Sequence, residues 1–171
     1  MEFDLGDHDG QRLRARPITP KDADALLDFA ERSTREDLRL RFFSMIKPAH
    51  GPLLDRLTHV DAETAIALVA FDPAVSWEEI LGVVRLNHEK GASEGEFAVM
   101  VRSDLKGHGI GHELLCLILR LAGERGITRV VGDVLAENRP MLHLVRDLGG
   151  RVEGHGPEVG IIRVVFETDR A

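Results

Sequence analysis

The stretch Glu94-Gly95-Glu96-Phe97-Ala98-Val99-Met100-Val101, Arg102-Ser103-Asp104-Leu105, Lys106-Gly107-His108-Gly109-Ile110-Gly111 and His112-Glu113-Leu114-Leu115-Cys116-Leu117-Ile118-Leu119-Arg120-Leu121 decides the fold. Residues 96–101 form a short apolar run of strand formers. Residues 112–121 have a strongly helical composition. Between them stand three glycines at alternate positions, on the threshold of the helix. Glycine accepts positive φ and lets a ligand approach the backbone closely. A helix start leaves N–H groups unpaired, with the positive end of the dipole behind them. Together they make an anion cradle, and phosphate is its commonest guest.

The rest of the chain bounds the options. Its 171 residues predict one compact domain. With 43% hydrophobic and 30% charged residues, it reads as a soluble globular protein. A net charge of −7 argues against nucleic acid as a partner, because phosphate contacts need a basic face. Cys116 is the only cysteine, which excludes an intrachain disulfide and a cysteine zinc cluster. No apolar run approaches the roughly 18 residues of a membrane span. The acidic start, with Glu2, Asp4 and Asp7, lacks the plan of a signal peptide, so a cytoplasmic location is expected.

Outward from the glycines, the elements fall in a definite order. Residues 1–11 read as an N-terminal extension, with Asp7-His8-Asp9-Gly10 as a turn. Arg12 to Ile18 reads as an edge strand. Thr19-Pro20 opens a helix through Ala30. Ser33 to Asp37 caps a second helix carrying Arg35, Arg39, Arg41 and Phe42-Phe43, read either as a surface helix with its aromatics in the core or as a substrate-facing wall. Leu53 to Val60 can form a third. Strands follow at Ala65–Phe71 and Glu79–Leu86, so the run at Glu96 completes an antiparallel meander. The strand read over Gly126–Leu135 comes after the glycine-loop helix, and the crossover predicts that it runs parallel to the Glu96 strand. Asn138-Arg139-Pro140 opens a last helix, stopped by Gly149-Gly150. Residues 151–153 and 161–166 finish a sheet of about seven strands.

Two phosphate loops are excluded by spacing. No Lys-Ser or Lys-Thr follows the glycines as a Walker loop requires. Gly107-x-Gly109-x-Gly111 also departs from Gly-x-Gly-x-x-Gly, and the strands before it are antiparallel.

The segment from Val101 to Gly111 resembles the acyl-CoA loop of the GCN5-related N-acetyltransferases (GNAT), Gln/Arg-x-x-Gly-x-Gly/Ala after a hydrophobic strand. Lys106-x-x-Gly109-x-Gly111 fits it, with Lys in the first position. The element order matches over residues 12–167, which the resemblance makes a single N-acetyltransferase domain. Asn138 matches the family's Asn after the fifth strand. Leu148-Gly149 matches its Leu-Gly-Phe ending, with Gly150 in place of Phe. The resemblance implies an α/β fold: a mixed, mostly antiparallel sheet with helices on both faces and a parallel central pair splayed for acyl-CoA. Leu40 to Ser44 and Glu96 to Gly107 are also similar to the acetyltransferase domain of bacterial Pat-type protein-lysine acetyltransferases, which act on acyl-CoA synthetases.

Acetyl-CoA is the cosubstrate so implied, and no metal is expected. A lysine ammonium, with an ordinary pKa near ~10.4, must lose a proton before it attacks a thioester. The resemblance puts the base at Glu96. Read from the residues alone, Glu96 is equally a carboxylate at the edge of a dry cleft or a solvated strand-end charge, with Glu94 as competitor. The family pattern further implies that Val99, Met100 and Val101 bond the pantetheine arm through the backbone. Gly107, His108, Gly109, Ile110, Gly111 and His112 would face the pyrophosphate, and Lys106 would add charge. His108 and His112 have the i, i+4 spacing of a metal pair, but no third ligand is spaced to complete a site. Asn138 would bond pantetheine, cap the last helix, or do both. The chain has no tyrosine to protonate the leaving thiolate, and Val145 stands about where that residue would fall. Cys116 reads as core.

Three functions remain open on these residues: an acetyltransferase acting on protein lysines, acyl-CoA synthetases among them; one acting on a small amine; and a non-catalytic acyl-CoA-binding module.

Overall fold

The computed structural model describes residues 1–37, 51–155 and 160–168. Arg39, Arg41 and Phe42-Phe43 lie outside the described residues. Among the described residues, eight strands form one sheet in the order β1-β2-β3-β4-β5-β6-β8-β7. They are β1 (Phe3–His8), β2 (Gln11–Pro17), β3 (Ala65–Phe71), β4 (Gly82–His88), β5 (Glu94–Val101), β6 (Arg129–Leu135), β7 (Arg151–His155) and β8 (Ile161–Glu167). Only β5 and β6 pair in parallel; every other neighbouring pair is antiparallel. Among the described residues, the helices with both ends described are α1 (Ala23–Glu31), α2 (Gly51–Thr58), α3 (Ile110–Glu124) and α4 (Arg139–Asp147).

The eighth strand is the departure from the sequence reading. Residues 1–11, expected as an extension, contribute β1, which covers β2 and takes over the edge. Arg12 and Arg14 on β2 draw Asp4 and Glu2 across the hairpin as ion pairs, so the acidic start of the chain has a basic strand to face. The strand expected from Glu79 begins at Gly82 instead.

Both faces of the sheet are covered, which explains why β3 reads as an unbroken apolar run rather than an alternating one. Leu68 and Ala70 pack beneath α3 with its Leu114, Leu115 and Ile118. Ala67 and Val69 pack on the other face with Leu26 and Phe29 of α1. Small residues let the layers close: a Cβ on Gly82 would lie 2.9 Å from Leu114 Cδ1. The buried Arg85 guanidinium on β4 donates to the Leu57 and Arg56 carbonyls, at 2.9 and 3.1 Å. It thereby caps the open C-terminal end of α2.

The departure of Gly150 from the family ending has a packing cause. A Cβ there would lie 2.6 Å from Phe166 Cε1 and 2.7 Å from Val145 Cγ1. Phe166 on β8 fills the space that a side chain at 150 would need, and Val145 is buried beside it. Gly150→Ala is therefore expected to cost about 1–3 kcal/mol through overpacking. Urea unfolding should show a lower midpoint, and adding Phe166→Leu should recover part of the loss.

Candidate active site

The site begins where two strands stop pairing. β5 and β6 are in register at Glu94–Arg129, Gly95–Val130 and Glu96–Val131, and no further. Beyond that point β5 pairs only with β4 and β6 only with β8. Among the described residues, no strand pairs with Val99 or Val101 on the side facing β6. The direction of their backbone groups follows from alternation. Arg102 N–H donates to the Leu81 carbonyl at 2.9 Å, which extends the β4–β5 ladder. Counting back by twos, Met100, Ala98 and Glu96 spend their main-chain groups on β4, while Val99 and Val101 turn theirs into the opening. Of the three residues expected to bond pantetheine by backbone, Met100 thus turns its N–H to β4 and not into the opening.

Phe97 holds the apex open. Its buried ring lies against Gly132, the first β6 residue past the pairing: a Cβ there would be 2.5 Å from Phe97 Cε1. The same ring meets Phe166 edge-on, with centroids 5.7 Å apart.

The splay widens into a cleft of about 580 Å³, within the usual range for small-molecule sites. The cleft gathers every residue the sequence nominated except His108. Glu96 sits at its apex, exposed, with no ion-pair partner among the described residues. Its competitor Glu94 is bound to Arg129 at 2.8 Å and does not line the cleft.

The glycine loop closes the wide end. Gly107 and Gly109 take φ of 84° and 88°, a region that L side chains rarely adopt. Gly109 is the N-cap of α3 and no side chain caps it. The first intrahelical bond runs from Glu113 N–H to the Gly109 carbonyl at 3.1 Å. The N–H groups of Ile110, Gly111 and His112 are therefore left at the helix mouth, where the dipole favours an anion. A Cβ on Gly111 would already touch Val101 Cγ2 at 3.5 Å, so helix and strand meet closely here.

Lys106 has a partner the sequence reading missed. Its ammonium pairs with Asp37 at 2.6 Å, and Asp37 also accepts from the Ser103 hydroxyl. Burial pushes the Asp37 carboxyl up, but Lys106 and Ser103 outweigh it and hold the group below the ordinary aspartate range. Nothing local in the sequence announces this pairing, because the partners lie 66 and 69 positions away. Asp133 was also missed, although it is the single carboxylate in β6; it lines the cleft and binds Arg163 at 3.2 Å.

Asn138 is the N-cap of α4 and its Oδ1 accepts from Met141 N–H at 3.3 Å, which leaves the amide nitrogen for the cleft. His108 turns its ring to Asp9, and His112 lies 3.8 Å from Cys116 Sγ. Among the described residues, no three His, Cys, Asp or Glu side chains converge as metal ligands. Burial and the nearby Glu113 push the Cys116 thiol up, so it stays protonated. Val145, at the position expected for a tyrosine, is buried. His143, which lines the cleft, is 3.6 Å from Asp147.

A sequence profile described as acetyltransferase (GNAT) domain matches residues 12–151. The chain belongs to the GNAT acetyltransferase family. It is 31% identical to the GNAT domain of S. lividans PAT, with a TM-score of 0.87 over 97% of this chain and 96% of that one. It is 27% identical over 150 residues to acetyltransferase PA5475 of Pseudomonas aeruginosa, covering 84% of this chain and 81% of the relative. It is 29% identical over 141 residues to acetyltransferase Pat of Mycolicibacterium smegmatis, covering 82% of this chain and 41% of that longer protein. This GNAT chain is thus an acetyltransferase, and the family implies acetyl-CoA as cosubstrate. The donors present suit that molecule: an anion mouth for its phosphates and a free strand edge for its amide-bearing arm. No helix among the described residues is long and apolar enough to cross a membrane.

If backbone geometry dominates binding, Gly109→Ala should weaken CoA by about tenfold, since left-handed backbone costs an L residue about 1–2 kcal/mol. Lys106→Ala should cost only about twofold to fivefold, because this half-exposed charge is already shared with Asp37. The Lys106 effect should shrink with salt, and calorimetric titration reads all three.

Proposed function

We propose that this acetyltransferase acetylates lysine side chains of proteins, acyl-CoA synthetases among them, by direct attack with Glu96 as general base. The observation that carries the reading is the position of Glu96 at the apex of the splay, in one cleft with the glycine loop. Val99 and Val101 hold the pantetheine arm through the free edge of β5, and Asn138 donates to it from the α4 N-cap. The α3 mouth and Lys106 take the pyrophosphate.

Bound acetyl-CoA supplies the acetyl group as a thioester. Glu96 removes the proton from the incoming ammonium, so that the nitrogen lone pair can form the new C–N bond. The Val101 N–H stabilises the negative charge that develops on the thioester oxygen. The C–S bond breaks and the sulfur departs as thiolate, which needs no tyrosine. The side-chain alternation of β5 puts Glu96 on the same face as Met100, which packs with α1 and α2. We place the acceptor lysine on that face, and the charge of Arg35, Arg39 and Arg41 would suit an acidic protein surface. Likeness to the GNAT domains of the two Pat proteins supports a protein acceptor. The match spans two fifths of the M. smegmatis protein, so nothing is carried over for the control of that enzyme.

The test is to incubate the chain with acetyl-CoA and an acyl-CoA synthetase and to map acetyl-lysine by mass spectrometry. Acetylation above the chemical background is expected. Glu96→Gln should lower kcat by about 10²- to 10⁴-fold with CoA affinity unchanged. Turnover confined to small amines would overturn the protein acceptor. CoA binding without turnover on any acceptor would leave a binding module.

A further inference from the structure

The N-terminal hairpin does more than extend the sheet. β1 ends at His8, and the turn Asp9-Gly10 brings that end against the back of the glycine loop. His8 Nδ1 lies 2.8 Å from the His108 carbonyl oxygen, and its Nε2 lies 2.8 Å from the Leu5 carbonyl oxygen. The Asp9 carboxylate pairs with the His108 ring. The position for a Cβ on Gly109 is 3.6 Å from His8 Nδ1, so the imidazole stands directly behind the α3 N-cap.

Two carbonyls at two ring nitrogens constrain the protonation state. A carbonyl oxygen only accepts, and a neutral imidazole has one N–H and one lone pair. In the neutral ring, one of these contacts sets lone pair against lone pair. The imidazolium, with an N–H on each nitrogen, satisfies both. The contact also has a direction. His108 C=O and Gly109 N–H share one trans peptide plane and point oppositely. Drawing the carbonyl back to His8 turns the Gly109 N–H toward the cleft, which Gly109 lines.

We propose that protonated His8 is a positioning residue that latches the β1–β2 hairpin onto the glycine loop and aims the Gly109 N–H at the CoA pyrophosphate. The proposal rests on CoA being the guest of this cleft. The charged groups on the hairpin beside His8 are Asp7, which is exposed, and Asp9, while Asp4 is taken by Arg12. On the loop, His108 is engaged by Asp9. On α3, His112 and Glu113 face each other at 3.7 Å. Because closure needs the proton and CoA needs closure, CoA binding and protonation of His8 are linked reciprocally.

The test measures CoA affinity by calorimetry between about pH 6 and pH 8, the range in which histidines titrate. For the full chain, affinity should fall as pH rises. His8→Gln should weaken CoA by about threefold to tenfold at the acid end and remove the His8 part of the pH dependence. It should leave kcat at saturating acetyl-CoA unchanged. Imidazole ¹⁵N spectra of the unaltered CoA complex should show both His8 nitrogens protonated at the acid end. Equal affinity and pH profile in His8→Gln, or a neutral His8 ring throughout the CoA complex, would overturn the latch. Absence of CoA binding by the unaltered chain would instead remove the functional reading beneath it.

Discussion

Everything the site does depends on the loss of hydrogen bonding between β5 and β6 after Glu96 and Val131. A sheet interior leaves no room for a ligand, because each backbone group is spent on a neighbouring strand. Here one strand leaves its partner part-way along, and the Phe97 ring occupies the gap over Gly132. The result is an internal edge, with strand donors and acceptors facing a cleft instead of solvent. An extended, amide-bearing chain such as pantetheine is the kind of guest that can add itself there.

The same separation orders the chemistry along one segment. β5 carries a carboxylate where the pairing ends and free backbone groups over the next turns of the pleat. It then passes through Arg102, buried and clamped between Glu79 and Asp104, into the glycine loop. Eleven residues after Glu96, Gly107 has turned the chain into the mouth of α3. Carboxylate, free strand edge and helix mouth therefore keep their spacing through a single covalent run. The surrounding elements hold that run in place: β4 along one side, α3 above, Asp37 at Lys106, and the N-terminal hairpin at His108.

Much of this was legible in the sequence, for local reasons. The glycine spacing, the Asn-x-Pro helix start and the apolar strand runs are short-range signals, and the elements they predict are present. The parallel β5–β6 pair follows from a crossover of the right length. The features that escaped are long-range. β1 was hidden because an acidic strand looks like a solvated tail until Arg12 and Arg14 are known to lie across from it. Asp37 and His8 carry no local signature, since their partners are 66 to 100 residues away. The turn of Met100 toward β4 was invisible for another reason: composition marks a strand but not which alternate residues face which neighbour. Gly150, an unexplained departure in sequence, became a packing necessity once Phe166 was seen against it.

The central claim is that the freed edge of β5 and the mouth of α3 form one binding surface for acetyl-CoA. Residue-resolved amide hydrogen exchange with and without acetyl-CoA tests it most directly. The account predicts that Val99, Val101, Gly109, Ile110 and Gly111 exchange rapidly in the free protein and become protected together on binding. Ala98 and Met100, already bonded to β4, should be protected in both states. Unchanged exchange at Val99 and Val101 in a saturated complex, or new protection at a surface elsewhere in the fold, would contradict it.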